Sequence, residues 1–69
     1  MLPLADRLKE KRKSKKLSQT KIAEIINIKQ GTYSGYESGK HEPSLEILVK
    51  LANEYETSTD YLLGRYNRE

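Results

Sequence analysis

The sequence of 69 residues contains no cysteine, which excludes both a disulfide framework and a thiolate metal site. A small fold without such cross-links depends on close helix packing, so the absence favours helices over a secreted mini-protein. Histidine occurs once, as His41, with no carboxylate at the spacing of a ligand set. We therefore expect no metal and no cofactor.

Long apolar runs are also missing, and no segment reaches the length of a signal-peptide core or a membrane span. The sequence therefore predicts a cytoplasmic protein with no membrane association. It also lacks a glycine-rich phosphate loop between a strand and a helix, and its side chains assemble into no catalytic constellation. An enzyme is the weakest of the functions considered.

Charge is present in quantity and is unevenly distributed. The net charge is +3, but residues 1–40 alone carry +6, and the remaining residues carry −3. A strongly basic half is suited to facing a polyanion. The first 40 residues are therefore the part of the chain expected to meet nucleic acid.

The apolar residues recur at helical spacing, and no segment alternates as a strand does. Serines that favour helix N-caps and residues that favour the left-handed conformation divide the chain into short segments. We predict an all-α domain over residues 1–64, followed by a tail at 65–69. Its five helices are expected at about residues 4–15, 19–26, 30–38, 45–55 and 59–63.

The second and third predicted helices are joined by a very short turn at Asn27, and the small residue Ala23 stands where they must cross. This pattern is typical of a helix-turn-helix. The stretches "LSQTKIAEIINIKQGTYSGYESGKHEPSLEILVKLA" and "STDYLLG" resemble the Cro and phage-repressor (Xre) family of helix-turn-helix regulators. The resemblance covers almost the whole chain, from Leu8 to Gly64, and implies a five-helix lambda-repressor-like fold that binds double-stranded DNA.

Glycine is unusually placed in the third predicted helix. At 100° per residue, Tyr33, Tyr36 and Glu37 face the body of the domain, whereas Gly31 and Gly35 share the opposite face. In the family this outward face enters the major groove. The glycines then allow the helix backbone to approach the DNA closely; the alternative is a poorly formed helix without function.

The expected site residues have two roles in DNA binding. Gln30 can bond adenine through both polar groups of its amide. The base-reading set is Lys29, Gln30, Gly31, Thr32, Ser34 and Gly35. The resemblance implies phosphate contacts by Gln19, Ser38, Lys40 and His41, including the backbone near Gly39 and His41. It also implies an ion pair between Arg12 and Glu37 beneath the DNA surface.

Two features have alternative interpretations from the sequence alone. The basic run at residues 9–16 is either a phosphate-contacting stripe or a solvated helix face. Tyr61, Leu62 and Tyr66 either pack the end of the domain or form the two-fold contact of a homodimer.

The leading functional hypothesis is a sequence-specific repressor that binds an inverted repeat as a homodimer. The alternative is an antitoxin-like or other protein-interaction module on the same fold. An antirepressor or a toxin would be the protein partner in that setting. The clustering of Gln19, Lys29, Gln30, Ser38 and Lys40 favours DNA over a protein-only role.

Overall fold

Five α-helices are present in the computed structural model, which describes residues 3–65, and this part of the chain contains no strand. The helices are α1 (Leu4–Ser14), α2 (Gln19–Ile26), α3 (Gln30–Ser38), α4 (Leu45–Glu54) and α5 (Thr59–Leu63). The predicted all-α fold is confirmed. The expected ends of α1 and α4 lie one residue too far, because Lys15 and Tyr55 cap these helices instead of extending them.

Three helices begin at the predicted serine caps. The hydroxyls of Ser18, Ser44 and Ser58 each accept a hydrogen bond from the backbone N–H three residues later, at 3.0, 3.2 and 3.0 Å. Each bond pairs one of the N–H groups that a helix start leaves without an intrahelical acceptor. Local sequence is therefore sufficient to fix the starts of α2, α4 and α5.

All five helices contribute side chains to one core. Tyr33 and Tyr55 are its largest members, with 0% and 1% of their surface exposed, and their hydroxyls lie 2.6 Å apart. Each buried hydroxyl thus has a hydrogen-bond partner, as burial of a polar group requires. The other buried apolar residues are Leu8, Ile22, Ala23, Ile26, Tyr36, Leu48, Leu51, Ala52 and Leu62.

The C-terminal helix α5 was predicted either to pack the end of the domain or to form a homodimer contact. Leu62 is fully buried in the core, which agrees with terminal packing, the first of its two predicted alternatives, and not with a dimer contact in this conformation. Tyr61 is half-buried against α1, where its ring lies 4.3 Å from the Arg7 guanidinium carbon and its hydroxyl donates to Glu10 at 2.8 Å. Tyr66 lies outside the described residues.

None of the helices between Pro3 and Arg65 has the length and apolarity required to cross a bilayer.

Candidate nucleic-acid interface

Helices α2 and α3 are joined by a turn of three residues, Asn27 to Lys29. Asn27 adopts the left-handed conformation (φ 63°, ψ 50°), which asparagine tolerates better than most residues. The N–H of Ile28 then donates to the carbonyl of Ala23 at 2.9 Å, which closes the C-terminus of α2. The pair therefore has the connection expected of a helix-turn-helix.

The start of α3 presents most of the predicted base-reading residues to solvent. Lys29, Gln30, Gly31 and Thr32 are exposed, and Ser34 is half-buried. On the other side of the helix, Tyr33 and Tyr36 are buried in the core. The structure thus brings the expected readers together at the N-terminal half of α3.

Gln19 and Gln30 connect the first turns of α2 and α3. The Gln30 side-chain N–H donates to the Gln19 carbonyl oxygen at 2.9 Å, and the Gln19 amide nitrogen donates to Glu37 at 3.1 Å. A carboxylate can only accept hydrogen bonds, so the side-chain NH₂ group of Gln19 must point inward to Glu37. The side-chain oxygen of Gln19 then points toward Gln30. Gln30 is left with one N–H and its carbonyl oxygen for an outside partner.

Glu37 is the centre of this network and lies almost entirely beneath the surface. Its side chain is 4% exposed, and that of Arg12 is 12% exposed. The Arg12 Nε and Nη2 atoms donate to the two carboxylate oxygens at 2.7 and 3.1 Å, and the Tyr33 hydroxyl adds a third donor at 2.5 Å. The ion pair implied by the family resemblance is present.

The ionisation of these groups follows from their surroundings. Burial acts to raise the pKa of Glu37, but hydrogen bonds from Arg12, Tyr33 and Gln19 outweigh it and lower the pKa. The hydrogen bond to Glu37 raises the pKa of Arg12. Burial, followed by the bond to Glu37, raises the pKa of Tyr33. Glu37 and Arg12 are therefore a fixed charge pair that holds α3 on α1.

The two glycines of α3 have different environments, contrary to the prediction that both lie open. A Cβ built at Gly31 meets nothing within 4 Å, whereas one built at Gly35 overlaps the imidazole of His41. Gly35 is buried. The expectation that Gly35 leaves the helix backbone open is therefore wrong for this conformation, because the His41 side chain already covers it, and a part for Gly35 in base reading stays a prediction.

The loop after α3 folds back on the helix. Gly39 ends α3 with a left-handed conformation (φ 83°), and the N–H of His41 donates to the carbonyl of Gly35 at 3.2 Å. This N–H is therefore already bonded in the DNA-free chain, and the phosphate contact expected from His41 and the backbone near Gly39 stays a prediction. Ser38, Lys40 and the His41 side chain remain exposed beside one another.

The basic run at residues 9–16 is mostly exposed, except for Lys11 and Arg12. Lys13 and Lys16 are exposed, and Lys15 forms an ion pair with Glu56 at 2.8 Å. Residues 3–65 contain no group of three or more His, Cys, Asp or Glu side chains arranged to hold a metal ion.

Sequence reasoning missed two contacts that shape this surface, the bond between Gln19 and Gln30 and the placement of His41 on Gly35. Eleven residues separate the two glutamines, and the bond depends on the angle between two helices. The available signal was indirect: both residues open a helix of the same helix-turn-helix unit.

The comparison with known proteins agrees with this architecture. The helix-turn-helix family model matches residues 8–62. The chain is 50% identical over 60 residues to the HTH-type transcriptional regulator AnsR of Bacillus subtilis, covering 87% of this chain and 52% of that protein. It is 38% identical over 65 residues to the cryptic phage CTXphi transcriptional repressor RstR of Vibrio cholerae, covering 94% of this chain and 58% of that protein.

A crystal structure of a transcriptional regulator from Listeria innocua superimposes with a TM-score of 0.83 at 35% identity, covering 96% of this chain and 61% of the other. The chain thus spans a little more than half the length of these relatives. With a family match over most of its residues and the geometry of α2 and α3, the chain belongs to the helix-turn-helix family of the Cro and phage-repressor type, and its relatives AnsR and RstR are transcriptional regulators.

Proposed function

We propose that this chain acts as the DNA-binding unit of a cytoplasmic transcriptional repressor, which binds an inverted-repeat operator as a homodimer with α3 in the major groove. The observation that carries the proposal is the rigid presentation of Gln30 at the start of α3. Gln19, Glu37 and Arg12 hold it through consecutive hydrogen bonds of 2.9, 3.1 and 2.7 Å. Groups fixed before binding lose little entropy when they meet DNA.

Base reading is assigned to the first turn of α3. The N–H and carbonyl oxygen that Gln30 retains match the N7 acceptor and N6 donor of adenine. Lys29 and Thr32 are exposed beside it, and Gly31 leaves room for close approach of the helix backbone. We therefore expect the half-site to contain an adenine opposite Gln30.

Phosphate contacts are assigned to both sides of this reader. Gln19 is the first residue of α2, where the helix dipole and the N–H groups of the first turn favour an anion. Lys40 is exposed at the other end of α3, and the Ser38 hydroxyl beside it reaches a phosphate by giving up its present bond to the Gly35 carbonyl. These contacts fix the position of the domain on the duplex, and the bases determine the sequence it prefers.

The repressor role is inferred from the similarity to the phage relative RstR, and the homodimer is inferred from the geometry of DNA. RstR is a transcriptional repressor. Two copies of α3 reach successive major grooves on one face of the duplex when their half-sites are about 34–36 Å apart. Among the residues that the structure describes, Tyr61 is the candidate for the contact between the two copies, and it lies half-buried on α1.

Selection of bound sequences from a random duplex pool, at near-physiological salt, tests the proposal. We expect enrichment of an inverted repeat with half-sites separated by about one helical turn. Gln30→Ala is the variant to compare with the wild type. It removes the side chain proposed to read a base and leaves Arg12, Glu37 and the core in place. Binding without enrichment would contradict the proposal and leave only sequence-independent attraction to phosphate. A protein partner such as a toxin would then be the alternative ligand of this surface.

A further inference from the structure

His41 lies over the recognition helix at the position where α3 has no side chain of its own. The three atoms nearest to a Cβ built at Gly35 all belong to the His41 imidazole. The N–H of His41 also donates to the Gly35 carbonyl at 3.2 Å. The residue is thus attached to α3 at both its backbone and its ring, although it lies in the following loop.

We propose that His41 determines part of the DNA sequence preference, with its imidazole reading base edges opposite the second half of α3. The inference rests on the proposed function, since it assumes that α3 lies in the major groove. In this proposal the side chain that reads bases beside the second half of α3 comes from the following loop and not from the helix itself.

The other side chains in this half of α3 are unsuited to the task. Tyr36 is buried in the core, and Glu37 is fully occupied by Arg12, Tyr33 and Gln19. The hydroxyl of Ser38 donates to the Gly35 carbonyl at 3.2 Å. His41 therefore supplies the only large exposed side chain seated directly on this part of the helix within the described residues.

The chemistry of the ring suits base recognition. His41 is exposed, and its ring nitrogens form no hydrogen bond or ion pair with any residue from Pro3 to Arg65. A neutral imidazole offers one donor and one acceptor, and base edges in the major groove present both. Lys40, the adjacent cation, is better suited to phosphate because it carries donors alone.

Gly35 provides an independent way to move the ring. A methyl group at this position overlaps the imidazole, and the ring is the end of a flexible side chain that can rotate away. Gly35→Ala should therefore displace His41 while keeping α3, because alanine is the better helix former by about 0.5–1 kcal/mol. Gly31→Ala adds the same methyl group to α3 where nothing lies within 4 Å.

The experiment compares the base preferences of the full chain and its variants on all single-base changes of the selected operator. We expect His41→Ala to reduce discrimination about five- to tenfold at one or two base pairs, as expected for a lost base contact. Gly35→Ala should give the same loss, and the double variant should lose nothing more, since both changes remove one contact. The effect of Gly31→Ala should combine additively with that of His41→Ala.

Glu42→Ala alters the next exposed residue of the loop and should leave every base preference unchanged. Equal weakening on all sequences by His41→Ala would place the ring on phosphate and overturn the inference. Unchanged preference, or additive losses from His41→Ala and Gly35→Ala, would overturn it as well. If the wild-type chain enriches no sequence, the proposed function itself is contradicted. The results for the His41 and Gly35 variants are measured only after the wild type has selected an operator, so the two failures can be distinguished. Circular dichroism of each variant verifies that the helices remain.

Discussion

The Glu37 carboxylate accepts two hydrogen bonds from the Arg12 guanidinium, at 2.7 Å from Nε and 3.1 Å from Nη2. Arg12 belongs to α1, outside the helix-turn-helix unit, and Glu37 belongs to α3. A third donor of the same guanidinium, Nη1, binds the carbonyl of Leu17 at 2.9 Å, just before α2. One arginine therefore sets the position of α3 relative to both helices that precede it.

Removal of one partner of the ion pair between Arg12 and Glu37 should destabilise the fold. Glu37→Ala leaves the Arg12 charge nearly buried and unpaired, so we expect the free energy of unfolding to fall by about 3–5 kcal/mol. That loss is a large part of the stability of a small domain. Thermal unfolding followed by circular dichroism measures it, and an unchanged melting temperature would refute the structural role of the pair.

Two further variants show whether the loss comes from the unpaired charge. Arg12→Met combined with Glu37→Leu should be more stable than Glu37→Ala, because apolar side chains can replace a buried pair without leaving a charge. Lys15→Ala breaks the more exposed pair with Glu56 and should change the melting temperature little.

Acid should destabilise the domain partly through Glu37. Burial raises the pKa of this group, but its hydrogen bonds outweigh the effect, so the folded pKa lies below its ordinary value of 4.5. Its stabilising contribution is therefore present above about pH 4.5 and is lost as the pH falls through the lower folded pKa. We expect Glu37→Gln to show a smaller decline of melting temperature between neutral and acidic pH than the wild type. Parallel declines in the two proteins would contradict this assignment.

Base reading and phosphate binding should respond differently to mutation. Gln30→Ala should relax preference at one base pair, where a good bidentate contact provides about 1–3 kcal/mol of discrimination. Lys40→Ala should weaken binding on all sequences alike and reduce the slope of log affinity against log salt by about 1. Titration of operator and mismatched duplexes at several salt concentrations separates the two effects. Equal losses on every sequence from both variants would contradict the assignment of roles.

The helices were predictable because their signals are local. Ser18, Ser44 and Ser58 occur just before apolar residues at helical spacing, and each caps a helix in the structure. Leu62 shows the limit of this reasoning. Helix α5 has only five residues, too few for periodicity to indicate which face is buried, and the outcome depends on its packing against the rest of the core.

The candidate site was predictable in part. The face of α3 that carries Tyr33 and Tyr36 followed from the helical period, and both are buried. The environment of Gly35 did not follow, because a helical wheel describes one helix and His41 lies in the loop beyond it. The pairing of Arg12 with Glu37 spans 25 positions and came from family resemblance, since no spacing rule connects residues so far apart.

Thr57 offers a test of the packing between α4 and α5. Its hydroxyl oxygen is buried and has no hydrogen-bond partner among the described residues. Such a group costs about 1–3 kcal/mol in lost hydration. Thr57→Val replaces the hydroxyl with a methyl group of similar size, so we expect the free energy of unfolding to rise by about 1 kcal/mol.

For a domain of this size that gain corresponds to an increase in melting temperature of about 4–8 °C. Thr20→Val makes the same change at an exposed residue of α2 and should leave the melting temperature nearly unchanged. A decrease in Thr57→Val would mean that the hydroxyl is hydrogen-bonded in solution, as a buried water molecule at the junction of α4 and α5 would allow. Because Thr57 is remote in sequence from the residues proposed to read DNA, its variant should also retain the operator preference of the wild type.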